Sequence, residues 1–96
     1  MDEPPEILKE YRVELIPTEG SATEKRKPGH RTKFGGIPDE IQANSTVLRC
    51  PICAKKMRFI GQIDSFDDEF MFMDMGMIYI WYCFDCFQPH ATMESY

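Results

Sequence analysis

Three observations predict a mainly β chain, organised as a small antiparallel meander with an added N-terminal strand and a long loop. Short runs of β-branched and aromatic residues recur, glycine and proline punctuate the chain between them, and two Cys-x-x-Cys units bracket the central runs. At 96 residues the chain is one small domain, whose modest core calls for a staple of some kind. Hydrophobic residues make up 43% and aromatic residues 12%, which excludes a disordered chain.

Taken in order, residues 1–16 open with a polar tail broken by Pro4 and Pro5. They end in Tyr11-Arg12-Val13-Glu14-Leu15-Ile16, whose alternation predicts a strand. Residues 17–36, rich in Pro, Gly, Ser, Thr and charge, predict a long mobile loop. The compact part is expected over residues 37–96. There Pro38-Asp39-Glu40-Ile41-Gln42 reads as one helical turn, with proline early and acids near its N-terminus. Met57 to Ile63 predicts a strand, and Phe70-Met71-Phe72-Met73 a second, short one. Asp74-Met75-Gly76 supplies a turn in which the glycine is free to take positive φ. Met77 to Tyr82 predicts a third strand buried on both sides, and a fourth is expected around Thr92.

The cysteines carry the sharpest chemical signal. Cys50-Pro51-Ile52-Cys53 and Cys83-Phe84-Asp85-Cys86 are separated by 29 residues. Two residues between cysteines let both sulfurs of a pair face one ion from a single tight turn. Two such turns complete the tetrahedron that zinc prefers, with sulfur ligands at ~2.3 Å. The interval suits a meander that leaves the first knuckle and returns to the second. Residues 37–96 therefore read as a zinc-ribbon-like domain in which Cys50, Cys53, Cys83 and Cys86 hold one structural Zn2+. Four sulfurs leave no open coordination position, so the site is closed.

Other uses of the same thiols stay in view. Iron takes the same four ligands. Two redox pairs would need a helix N-terminus to lower a thiol pKa, and neither pair opens a helix. Disulfides need an oxidising compartment. If the metal is structural, its ~10–16 kcal/mol rivals the whole stability of a small domain, and chelation should unfold at least residues 50–86. Lys55 and Lys56 beside the first knuckle either offset the negative charge of the centre or are ordinary surface lysines. His30 and His90 are spare ligands that four cysteines make unnecessary.

The N-terminus is acidic and proline-broken, the opposite of a basic secretory leader. The longest apolar run, Met77 to Phe84, is less than half of a membrane span. The expected setting is cytoplasmic and reducing. Eleven Lys and Arg against sixteen Asp and Glu give a formal charge of −5, the wrong sign for a domain that lives on phosphate contacts. The local exception, Lys25-Arg26-Lys27 with His30, Arg31 and Lys33, reads as a solvated loop because no aromatic platform is interleaved with it.

A resemblance enters through four strings: Phe34-Gly35-Gly36-Ile37-Pro38-Asp39-Glu40-Ile41-Gln42; the first Cys-x-x-Cys; Met57-Arg58-Phe59-Ile60-Gly61-Gln62-Ile63-Asp64; and Asp74-Met75-Gly76-Met77-Ile78-Tyr79-Ile80-Trp81-Tyr82-Cys83. In order and spacing, residues 34–86 resemble the YwqG-like family of uncharacterised bacterial proteins. They are more distantly similar to the N-terminal part of programmed cell death protein 2. The resemblance implies a Gly-Gly-x-Pro segment, a cysteine knuckle, a strand ending in Gln, and a hairpin running into a second cysteine site. That family pattern usually places tryptophan after Gly-Gly-x-Pro-Asp, where this chain has Glu40, so any shared contact surface is altered there. The eukaryotic relative resembles a dedicated chaperone for a ribosomal protein, which implies protein binding without naming a partner.

No catalytic apparatus is legible: there is no Gly-rich phosphate loop, no nucleophile elbow and no metal site with a vacant position. Asp64, Asp67, Asp68 and Glu69 read as a solvated acidic loop, because nothing apolar surrounds the carboxylates to raise a pKa. Met71, Met73, Met75 and Met77 recur at every second position and would line one face of a hairpin, either as core or as an adaptable contact surface. Phe70 and Phe72 would then lie on the opposite face. A thin sheet cannot easily bury both faces alone, which implies another protein or a second copy as partner. The sequence therefore favours a protein-interaction module, adaptor- or chaperone-like, over a nucleic-acid-binding ribbon.

Overall fold

The computed structural model describes residues 6–18, 26–39, 48–73 and 75–95. Among them there are four strands and no helix: β1 (Lys33–Phe34), β2 (Arg58–Asp64), β3 (Met77–Cys83) and β4 (Gln88–Glu94). They form one antiparallel sheet in the order β1-β2-β3-β4, the meander expected from the sequence.

β3 is central because it pairs on both sides, with β2 over Met77–Tyr82 and with β4 over Met77–Cys83, Met77 standing opposite both Asp64 and Glu94. Its residues alternate between buried and half-buried, so it uses one face for the core rather than both. Met77, Tyr79, Trp81 and Cys83 point inward and join Cys50 and Met57 in the buried cluster, with Leu48, Cys53, Phe59 and Cys86 packed against it. Trp81 meets Phe59 edge-on at 5.4 Å and donates its indole N–H to Thr92. Cysteines thus supply a large part of a very small core.

β2 carries a bulge between Phe59 and Gly61, which brings Gln62 and Asp64 onto the inward face with Phe59. Gly61 is needed for approach: a Cβ there would stand 2.7 Å from the Lys33 carbonyl oxygen of β1.

Three sequence expectations change. The strand predicted over Tyr11–Ile16 does not form; that segment has no ladder, and the place beside β2 belongs to Lys33–Phe34, inside the stretch read as loop. The segment docks through side chains instead. Tyr11 packs edge-on against Phe66 and Phe70, its hydroxyl donates to Asp67 at 2.7 Å, and the Lys9 N–H donates to Glu69.

The short strand predicted over Phe70–Met73 is also absent. β2 is already paired on both edges, and local polar bonds fold the chain into a loop. Asp67 accepts the N–H groups of Glu69 and Phe70, and the Ser65 hydroxyl accepts the N–H of Phe72 while donating to the Gly76 carbonyl. In the third change, left-handed backbone falls on Met73 (φ 57°) and Met75 (φ 53°) rather than on Gly76. Gly76 is small for a different reason: a Cβ would lie 2.4 Å from the Phe72 carbonyl oxygen. The helical turn expected at Pro38–Gln42 falls largely outside the described residues, and Pro38 and Asp39 carry no regular structure.

Candidate metal centre

The fold brings the two knuckles together. The first immediately precedes β2, and the second is the tight connection from β3 to β4. The first is closed by two backbone bonds, Cys50 N–H to Lys55 and Ala54 N–H to the Cys50 carbonyl, each 2.9 Å. Arg49 braces it, donating to the Ala54 carbonyl. In both knuckles the residue after the second cysteine takes the left-handed conformation: Ala54 at φ 63° and Phe87 at φ 56°. The two loops are therefore built alike on different sequences.

All four Sγ atoms of Cys50, Cys53, Cys83 and Cys86 lie within 4.8 Å of one another, and those of Cys53 and Cys83 are 3.7 Å apart. A tetrahedron of sulfurs at ~2.3 Å from a central ion has edges of about 3.8 Å, so the donor set fits such an ion. The four thiols are free, not paired as disulfides. Cys50 and Cys83 are buried while Cys53 and Cys86 are half-buried, so the core shields one side of the cluster.

Electrostatics divides the thiols. Cys50 is held down at about 7, chiefly by a hydrogen bond from the Cys53 N–H and next by one from the Ile52 N–H, against the opposing effect of burial. Cys86 is pushed up to about 12, first by its hydrogen bond with Cys53, then by burial and by Cys50. Four thiols so close cannot all ionise side by side; a cation at their centre makes that state favourable. Ile52 N–H lies 3.4 Å from the Cys50 sulfur, the kind of outer contact that orients a thiolate ligand.

Lys55 spans the two knuckles. Its ammonium lies 3.0 Å from a carboxylate oxygen of Asp85, and its pKa is raised first by that contact and then by the nearby thiols. Both partners are well exposed, so the pair contributes little to stability. Lys56 is exposed opposite Arg49. His30 and His90 are exposed and lie outside the cysteine cluster.

The charged loops hold what sequence reasoning missed. Asp64, expected in solvent with Asp67, Asp68 and Glu69, is fully buried. It faces Arg31, expected in a solvated basic loop but only 7% exposed. The pair is bidentate, Nε to Oδ2 and Nη2 to Oδ1, each 2.9 Å, and the Gly29 and Arg31 N–H groups add to Oδ2. Burial is the strongest single influence on this carboxyl and pushes its pKa up, but the bonds from Arg31 and Gly29 together hold it below the usual range. Gln62 completes the network: its amide donates to the Arg31 carbonyl and to Asp39, and its oxygen accepts the Asp39 N–H. Lys33 closes on Asp39 at 2.9 Å. One signal was available: Gln62 and Asp64 alternate on the face that a buried β2 must turn inward. Of the remaining basic run, Lys27 is exposed, and Lys25 lies outside the described residues.

The methionine stripe does not form either. Met77 is fully buried, Met75 is half-buried, and Met71 and Met73 are exposed on an irregular loop. A cleft of about 630 Å³ lies between Val13–Thr18 and the β1 region and is lined by no cysteine.

Fold and site define a small β protein whose four cysteines are placed to hold a metal ion. No protein-family model matches the chain, and no curated protein or solved structure is significantly similar to it. No helix among the described residues is long and apolar enough to cross a membrane.

Proposed function

We propose that this chain is a cytoplasmic protein-interaction module, adaptor- or chaperone-like, built on one structural Zn2+ held by Cys50, Cys53, Cys83 and Cys86. The observation that carries the reading is the sheet's unequal use of its faces. One face makes the core with the cysteines, and the other, with Phe34, Ile63, Ile78, Ile80 and Met93, lies outside that core and is apolar. Zinc is preferred because a closed tetrahedral four-sulfur set is its usual structural site. The buried Arg31, Gln62 and Asp64 are taken up in holding the 29–39 loop to β2, which supports a binding rather than a catalytic reading. The more distant resemblance of residues 34–86 to the N-terminal part of programmed cell death protein 2 supports the same reading, protein binding.

Native mass spectrometry tests the metal: one zinc per chain is expected, with loss of structure on chelation. A folded, metal-free chain would overturn it. The interaction is tested by cross-linking in cells that make the protein. A zinc-dependent polypeptide adduct that survives nuclease is expected, and adducts formed only with nucleic acid would favour the nucleic-acid-binding ribbon instead.

A further inference from the structure

The outer face of the sheet has a charge pattern that specifies its partner. The strands contain two acidic residues, Asp64 and Glu94, and both belong to the inward face, opposite Met77. Among the described strand residues the outward face has none. Its centre is Ile63, Ile78, Ile80 and Met93, from residues that pair across β2, β3 and β4. Ile78 and Ile80 are half-buried and Met93 is 46% exposed, and none joins the buried core.

Toward the knuckles this apolar strip becomes cationic and aromatic. Arg58 pairs with Tyr82, and its guanidinium lies 5.1 Å from the centre of the Phe84 ring, which itself meets Tyr82 edge-on at 4.9 Å. Lys56, two residues before Arg58 with buried Met57 between them, shares its side of the chain, and Arg49 stands opposite Lys56. All three cations are exposed, and none forms an ion pair with another described residue. Three cations on or beside a face whose strands carry no acid are unexpected in a chain of net charge −5; Asp85, exposed in the second knuckle, is paired with Lys55.

We infer that this outward face binds an extended polypeptide segment in which apolar residues are followed by Asp or Glu, the apolar part on Ile63, Ile78, Ile80 and Met93 and the acids on Arg49, Lys56 and Arg58. The inference rests on the protein-interaction reading and gives the partner its chemistry. A single-stranded nucleic acid suits the face less well. Its centre is aliphatic, with rings only at the margins (Phe34 at one edge, Tyr82 and Phe84 at the knuckle end), Arg49 already braces the first knuckle, and the net negative charge of the chain repels phosphates.

The test uses the full zinc-loaded chain and a short fluorescent peptide alternating Leu with Glu. Controls are the same peptide with Lys for Glu and an oligothymidylate. The Leu/Glu peptide should bind, more weakly as salt rises, and should shift the amide resonances of Ile63, Ile78, Ile80 and Met93. Lys56→Glu, at an exposed position outside the strands, should weaken binding about ten-fold with zinc content unchanged, and the double change with Arg58→Glu should weaken it further. Equal binding of the Lys peptide, or no binding of the Glu peptide, would overturn the inference. Shifts confined to the Val13–Leu15 cleft or the Tyr11 cluster would also overturn it while leaving the protein-interaction reading intact. Preference for oligothymidylate would remove both.

Discussion

At the scale of single residues, the strongest dependence falls on Asp64. Its carboxylate is fully buried and receives Arg31 in two places, so removing either partner strands a charge out of water. Asp64→Ala should cost about 3–5 kcal/mol in denaturant unfolding of the zinc-loaded protein, and adding Arg31→Met should recover part of that loss. The pH dependence follows from the direction of the shift. The folded pKa is depressed, so the stabilisation is complete above the ordinary carboxylate value of ~3.9 and is lost as pH falls through the lower folded value. The stability gap between wild type and Asp64→Asn should therefore be constant near neutrality and narrow toward strong acid. A gap that widens there would contradict the assignment. Gly76 gives a second check: a methyl group would press on the backbone oxygens of Phe72 and Glu94, so Gly76→Ala should destabilise by about 1–3 kcal/mol.

At the scale of elements, β3 is the organising strand, and truncation on its inward face should cost far more than truncation at exposed positions elsewhere. Met77→Ala opens a cavity in the core and should cost about 2–5 kcal/mol. Met93→Ala and Met73→Ala, at exposed positions, should stay within about 0.5 kcal/mol in the same unfolding assay. A loss at Met73 comparable with that at Met77 would revive the continuous methionine face that alternation suggested. β1, only two residues long, is held by the Gly61 approach and by the Gly35 N–H donating to Ile60. It closes the edge of β2 that a longer N-terminal strand would otherwise have taken.

For the whole molecule, the decisive link is between metal and core. Cys50 and Cys83 are themselves buried core residues, and Cys53 and Cys86 pack against them, so the ligand cluster and the hydrophobic cluster are one body. Chelation should therefore abolish the near-ultraviolet circular dichroism of Trp81 together with the sheet, and zinc should restore both. Cys53→Ser and Cys83→Ser should each behave like the chelated protein. Retention of the Trp81 signal after chelation would mean that the sheet stands without the ion.

The antiparallel meander, the bounds of β2 and β3 within a residue, a further strand around Thr92 and the four cysteines were legible in the sequence. Their signals are local: period-two alternation, β-branched runs, and a two-residue ligand spacing that one tight turn imposes. Those features determined a small β meander with a sulfur cluster between its ends. What only the tertiary structure decided was where polar and apolar side chains of ambiguous position would go. Arg31 and Asp64 lie 33 positions apart and became a buried pair because the loop before β1 lies across β2. Tyr11–Ile16 and Phe70–Met73 have strand-like composition, yet neither is a strand. Side-chain bonds take these segments instead: Tyr11 docks on Phe66, Phe70 and Asp67, and Asp67 and Ser65 bend the chain around Phe70 and Phe72 into a loop.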